Sequence, residues 1–170
     1  MDEIAKGIPE FDENGNLPFG IYVVDFEEFE NKFSKGLSQR RNKIMGFYKE
    51  HLKEILGCNY VLEHWIDGSF VSLKENPGDI DTLTELDGVQ VDSFDSKKEV
   101  QTFFDFAPLY TEKCCHSFCI YRYPEENEIE YELYSEAKAT YLYLRFAKDK
   151  SGNPKGILQL NLEGGGLDEI

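Results

Sequence analysis

Basic residues are scarce in this chain: 18 Lys and Arg stand against 33 Asp and Glu, for a formal net charge of −15. So acidic a surface repels phosphate backbones at long range. That argues against a nucleic-acid partner and leaves a basic protein surface as the easier one to accommodate. Long apolar runs are also missing. No stretch approaches the roughly 18 to 20 residues that a membrane span requires, and no basic segment followed by an apolar one resembles a secretory leader. A soluble, cytoplasmic protein is expected.

Cysteine is sparse as well, with only Cys58, Cys114, Cys115 and Cys119. Two of the four are adjacent, which suits reduced thiols better than a disulfide framework. The cluster "CCHSFC" offers thiols and an imidazole to a zinc ion. However, neighbours on a strand point to opposite faces, and no second ligand pair follows at finger-like spacing. These are read as reduced core cysteines.

What is present is aromatic. With 13 Phe and 10 Tyr in 170 residues, and 41% hydrophobic residues overall, the chain has the composition of a folded protein and the length of one domain.

Residues 1–24 read as an irregular arm, because Pro9, Gly15, Pro18 and Gly20 interrupt every candidate period. A single domain is expected over 25–162, followed by a loose tail at 163–170. Asp25 with Glu28 suggests a capping box ahead of a helix carrying Phe26, Phe29 and Phe33, which Gly36 ends. A longer helix from Ser38 to Leu56 places Ile44, Tyr48, Leu52, Ile55 and Leu56 on one stripe.

Strands are expected at "NYVLEHWI", "DIDTLTEL", "SFCIYRY" and "KGILQLNL". Helices are expected from about Ser96 to Phe106 and, despite the alternation of "EIEYELY", between Glu126 and Phe146. No internal repeat is evident. The elements are those of an α+β protein.

The segment "DGSFVSLKENPGDID" carries the chemistry. In a strand, residues two apart share a face, so Asp79 and Asp81 project together, roughly 7 Å apart along the backbone. Two carboxylates so placed can share one Mg²⁺, an ion that takes oxygen ligands and keeps sites open for water and substrate phosphates. Gly68 lets a phosphate approach the backbone, and Ser69 with the neighbouring N–H groups can donate to its oxygens. An isolated Asp-x-Asp after Pro-Gly is more often a turn and a strand entry. The order strand, Gly-Ser, connector, strand beginning Asp-x-Asp, helix, strand favours the site.

The combination of Gly68, Ser69, Asp79 and Asp81 resembles the signature of the nucleotidyltransferase superfamily typified by DNA polymerase β and the minimal nucleotidyltransferase antitoxins. The stretches "IPEFDENGNLPFGI", "DGSFV", "PGDID" and "DKSGNPKGILQL" are similar to a group of small bacterial proteins of that superfamily. The resemblance implies a mixed central β-sheet flanked by helices. It also implies a bound nucleoside triphosphate with Mg²⁺ (or Mn²⁺) on Asp79 and Asp81, and transfer of a nucleoside monophosphate to a protein or other hydroxyl.

The family pattern calls for a third carboxylate on the strand "SFCIYRY", which has none. By distance from Pro124, Cys119 occupies that position, and Asp105 is the nearest upstream acid. The alternative is therefore a catalytically impaired pseudoenzyme, acting like an antitoxin or a regulatory protein-binding module. His64 and Trp65 are read as packing residues, Lys74 as a solvated loop residue, and Lys155 as a turn residue.

Overall fold

The computed structural model describes residues 4–94, residue 100 and residues 111–170. The helix expected from Ser96 to Phe106, and Asp105 with it, lie outside the described residues.

Chain order begins with β1 (Ile4–Lys6), β2 (Ile21–Val24), α1 (Phe26–Phe33) and α2 (Gln39–Leu56). β3 (Val61–Asp67), a 3₁₀ turn (Ser69–Val71), β4 (Ile80–Asp87) and the short α3 (Gly88–Asp92) follow. β5 (Cys115–Arg122) leads to α4 (Glu128–Ala139), whose last turns widen to π geometry over Thr140–Arg145. β6 (Ile157–Leu160) and a closing 3₁₀ turn (Leu167–Glu169) complete the described chain.

The strands form one mixed sheet in the order β1-β2-β6-β3-β4-β5. β3 runs antiparallel to β4 and β6, whereas β1 with β2, β2 with β6, and β4 with β5 are parallel.

Period-two alternation sorts the strand residues onto two faces. On one face Ile66, Ile80 and Leu158 meet the buried aromatics Phe26, Phe29 and Phe33 of α1 and the stripe Ile44, Tyr48, Leu52 and Ile55 of α2. On the other, Trp65, Leu83, Phe118 and Ile120 pack against Leu142 and Phe146 beyond α4. The π turns thus supply what α4 lacks, since no residue of α4 itself is buried.

His64 and Trp65 are packing residues, as expected. His64 is fully buried, with Nδ1 2.9 Å from Thr84 Oγ1 and Nε2 3.1 Å from the Tyr48 hydroxyl, and Trp65 faces the opposite cluster. The Ser38 side chain caps α2 by accepting from the Arg41 N–H. The capping box of α1 does not form: the Asp25 carboxylate accepts from Asn161 Nδ2 at 2.9 Å, and Glu28 accepts the Ile8 N–H at 2.8 Å.

Both ends of the chain differ from expectation. The segment expected to be an irregular arm contributes two parallel strands, because β2 pairs with β6 and buries Val24 beside α1. Local sequence cannot announce a strand whose partner lies more than a hundred residues away. The tail expected to be loose packs Leu167 and Ile170 against the same core.

A short repeat is present too. "DENGN" (12–16) and "DKSGN" (149–153) fold alike: the aspartate Oδ1 accepts from the N–H groups two and four residues on, and Gly15 and Gly152 take positive φ. The two loops meet where Asn16 Nδ2 donates to Asp149 Oδ2 at 3.0 Å.

Candidate functional site

β3 ends at Asp67, the chain reverses at Gly68, and β4 returns with Asp81 in register opposite Asp67. Gly68 has φ 84° and ψ −166°, a conformation that disfavours any side chain. A Cβ there would also lie 1.9 Å from Asp81 Oδ2 and 2.9 Å from its Cγ. The Gly of the Gly-Ser motif therefore leaves room for the second Asp of the Asp-x-Asp.

Asp79 directly precedes β4 and lines, with Asp81, Gly68 and Ser69, a cleft of about 390 Å³. The cleft opens where β3 ends and where β4, β5 and β6 begin. The four residues singled out in the sequence are thus brought together.

Adjacent arginines at the start of α2 hold the connector between the two motifs. The buried Arg41 guanidinium donates to the carbonyls of Phe33 (2.9 Å), Phe70 (2.7 Å), Ser72 (2.7 Å) and Lys74 (2.6 Å), and lies over the Phe70 ring. Burial lowers its pKa from the ordinary arginine value. Arg40 donates to the carbonyls of Pro77 and Gly78 and to Cys114 Sγ, pinning the turn from which Asp79 emerges. The pair Arg-Arg in the first turn of a helix was the available sequence signal. Its targets in the connector, 29 to 38 residues on, were not legible.

A charged row crosses the sheet at the cleft floor. Lys155 Nζ sits 2.8 Å and 2.9 Å from the two Asp67 oxygens, and both residues are buried. Lys155 is therefore more than the turn residue it was expected to be, because the start of β6 lies beside β3. Burial pushes the Asp67 carboxyl up to about 7, against the pull of the Lys155 ammonium and the Gly68 N–H, and the charge of Asp81 adds to the rise.

Asp81 is raised by burial first and then by Asp79, and lowered by His116 and Lys155. His116 of β5 stands in register with Asp81, its Nδ1 3.2 Å from Asp81 Oδ1. Among the cleft residues are also Lys74, Arg145, Lys148 and Lys150, which with Lys155 put five basic groups around one cavity in an acidic chain.

Cys119 is not at this site, a correction to the expected third-carboxylate position. It pairs in register with Thr84, and its side chain packs beside Leu86, Val91 and Tyr121 on the face away from Asp81, where burial raises its thiol pKa. The physical reason is parity: β5 begins at Cys115, so His116, Phe118 and Ile120 share the cleft-side face while Cys115, Ser117 and Cys119 share the other. Cys115 is likewise buried, its thiol pushed up to about 12, chiefly by burial. All four cysteines are free.

The donor set fits a hard divalent cation. Asp79 and Asp81 are carboxylates close enough for one to raise the pKa of the other, and Gly68 keeps the Asp81 carboxylate uncrowded. Among the described residues no three His, Cys, Asp or Glu side chains are already gathered around a point that an ion could take. An ion on the pair would complete its shell with water and phosphate oxygens.

The architecture is mixed α/β with a six-stranded sheet, and no described helix is long and apolar enough to cross a membrane. Over residues 9–161 the chain matches, and belongs to, the family described as "Family of unknown function (DUF6932)". No curated protein and no solved structure matches it.

Proposed function

We propose that this protein is a nucleotidyltransferase-type protein of the cytoplasm. In this reading it binds a nucleoside triphosphate with a divalent cation, Mg²⁺ or Mn²⁺, and transfers the nucleoside monophosphate to a hydroxyl, with a protein as the favoured acceptor. The observation that carries the reading is the convergence of Gly68 and Ser69 with Asp79 and Asp81 in one cleft, held by a buried arginine clamp.

Each side chain has a role that its placement supports. Asp79 and Asp81 would hold the cation, which when bound neutralises charge on the phosphates. Ser69 and the backbone N–H groups after Gly68 would donate to phosphate oxygens. Lys74, Arg145, Lys148 and Lys150, from two separate segments, give the cleft the positive potential that a triphosphate requires. In the transfer, the acceptor oxygen bonds to the α-phosphorus and the bond to the β-phosphate bridge breaks. Pyrophosphate leaves with the electron pair, and the hydroxyl proton is released.

One observation favours a second reading. β5 places an imidazole, not a carboxylate, beside Asp81. A protein that binds nucleotide but transfers poorly, and whose acidic surface docks a basic partner in the manner of an antitoxin or regulatory module, accords with that substitution.

Incubation with labelled nucleoside triphosphates, Mg²⁺ or Mn²⁺, and candidate acceptor proteins tests the first reading directly. Thermal denaturation completes the test. A ligand at a hundredfold excess over Kd stabilises a fold by about 2.7 kcal/mol, and Asp79→Asn is expected to remove most of that gain. Equal shifts in wild type and variant would place the nucleotide elsewhere.

A further inference from the structure

We infer that the cleft holds one divalent cation rather than two, and that His116 is the positioning residue that sets this count. The inference rests on the nucleotide-binding reading above and adds the stoichiometry of the site.

Few carboxylates of the cleft are open to a metal. Of the four carboxylates that line the cleft, Asp67 has both oxygens within 2.9 Å of the Lys155 ammonium, and Asp149 has its oxygens taken by donors of Asn16, Ser151 and Asn153. Asp79 and Asp81 remain. As side-chain ligands they suffice for one divalent ion completed by water and phosphate oxygens, whereas two ions roughly 3.5–4 Å apart, the spacing of paired catalytic metals, would have only these two carboxylates to share.

Geometry points the same way. His116 lies directly across from Asp81 on the parallel strand, on the same face, with its Nδ1 3.2 Å from Oδ1. A carboxylate accepts and does not donate, so the ring N–H donates to that oxygen. Oδ1 is the Asp81 oxygen on the β5 side, and Oδ2 lies against Gly68. A second ion on the β5 side would have to take Oδ1 from a hydrogen bond and approach a donor group. The hydrogen bond also restrains the Asp81 carboxylate, which is the positioning role.

The experiment counts ions on the full chain. Mn²⁺ binding is measured by electron paramagnetic resonance with saturating non-hydrolysable nucleoside triphosphate, for wild type, His116→Asp, His116→Asn and Asp79→Asn. His116 is one-third exposed but packs against Phe118, so a melting curve for each variant checks that the fold is kept. Wild type is expected to bind one Mn²⁺ per chain. His116→Asn, which keeps an N–H donor, is expected to stay at one, and His116→Asp, which supplies a third acidic group, to rise to two.

Two ions in the wild type would overturn the inference, as would a His116→Asp variant that still binds one. If Asp79→Asn binds Mn²⁺ as wild type does, the cation lies outside this cleft and the nucleotidyltransferase reading falls with the inference. If Asp79→Asn loses the ion and His116→Asp gains none, that reading stands and only the role of His116 is lost.

Discussion

The side chain that Gly68 lacks is the space that the Asp81 carboxylate fills: a Cβ at 68 would stand 1.9 Å from Asp81 Oδ2. The two motifs of the cleft are therefore one packing unit. A side chain at 68 would have to displace the Asp81 carboxylate.

Gly68→Ala is accordingly expected to destabilise the fold by about 2 kcal/mol or more, from the positive φ and the displaced carboxylate together. Urea denaturation measures the loss. Cation binding should weaken in the same variant, and an unchanged midpoint would show that β3 and β4 meet differently at this end.

Arg41 organises the connector from within. Arg41→Met keeps the volume of the stem and leaves the buried carbonyls of Phe33 and Phe70, and the part-buried ones of Ser72 and Lys74, without their donor. A loss of about 3 kcal/mol or more is expected, since each unsatisfied buried acceptor costs about 1–3 kcal/mol. Hydrogen exchange should show Ser69 to Lys74 opening before the sheet does. Uniform protection with a small change in stability would contradict the clamp.

The pH dependence contains two opposed contributions. The folded Asp67 carboxyl titrates at about 7 against an ordinary 3.8, so between those values the folded state holds a proton that the unfolded chain has lost. Its contribution falls as pH rises through that window. His51 and His64, both buried, are pushed down to about 4 and about 3 from 6.5, mainly by burial. Their contribution is present above 6.5 and is lost as pH falls. Asp81 is raised as well and acts with Asp67, so between about pH 6.5 and about pH 4 two carboxyls oppose two histidines, and Asp67→Asn should make stability fall more steeply on acidification through that window than in the wild type. Parallel slopes in urea titrations of the two proteins would show that Asp67 does not take up that proton.

Cys119→Asp separates the two faces of β5. At 119 a carboxylate would enter the apolar neighbourhood of Leu86 and Val91, and a buried, unpaired carboxylate is strongly disfavoured. The expected result is a markedly lowered melting temperature with no gain in Mn²⁺ affinity. A gain in affinity would mean that Cys119, not His116, faces the acidic pair.

Much of this protein was legible in its sequence because it depends on local chemistry. The stripe Ile44, Tyr48, Leu52, Ile55 follows helical spacing, Ser38 caps its own helix, and Gly68 with Ser69 and Asp79 with Asp81 are short-range patterns whose residue types limit what they can do. The antiparallel pairing of β3 with β4 then brings both motifs together. What tertiary structure decided is everything that depends on pairing between distant segments. The insertion of β6 beside β3 turns Lys155 into the partner of Asp67, 88 residues away. The reach of Arg40 and Arg41 to the connector depends on how α2 docks. The parity of β5 puts His116 rather than Cys119 beside Asp81, because alternation in a strand defines two faces but only the register with its neighbour says which face meets which.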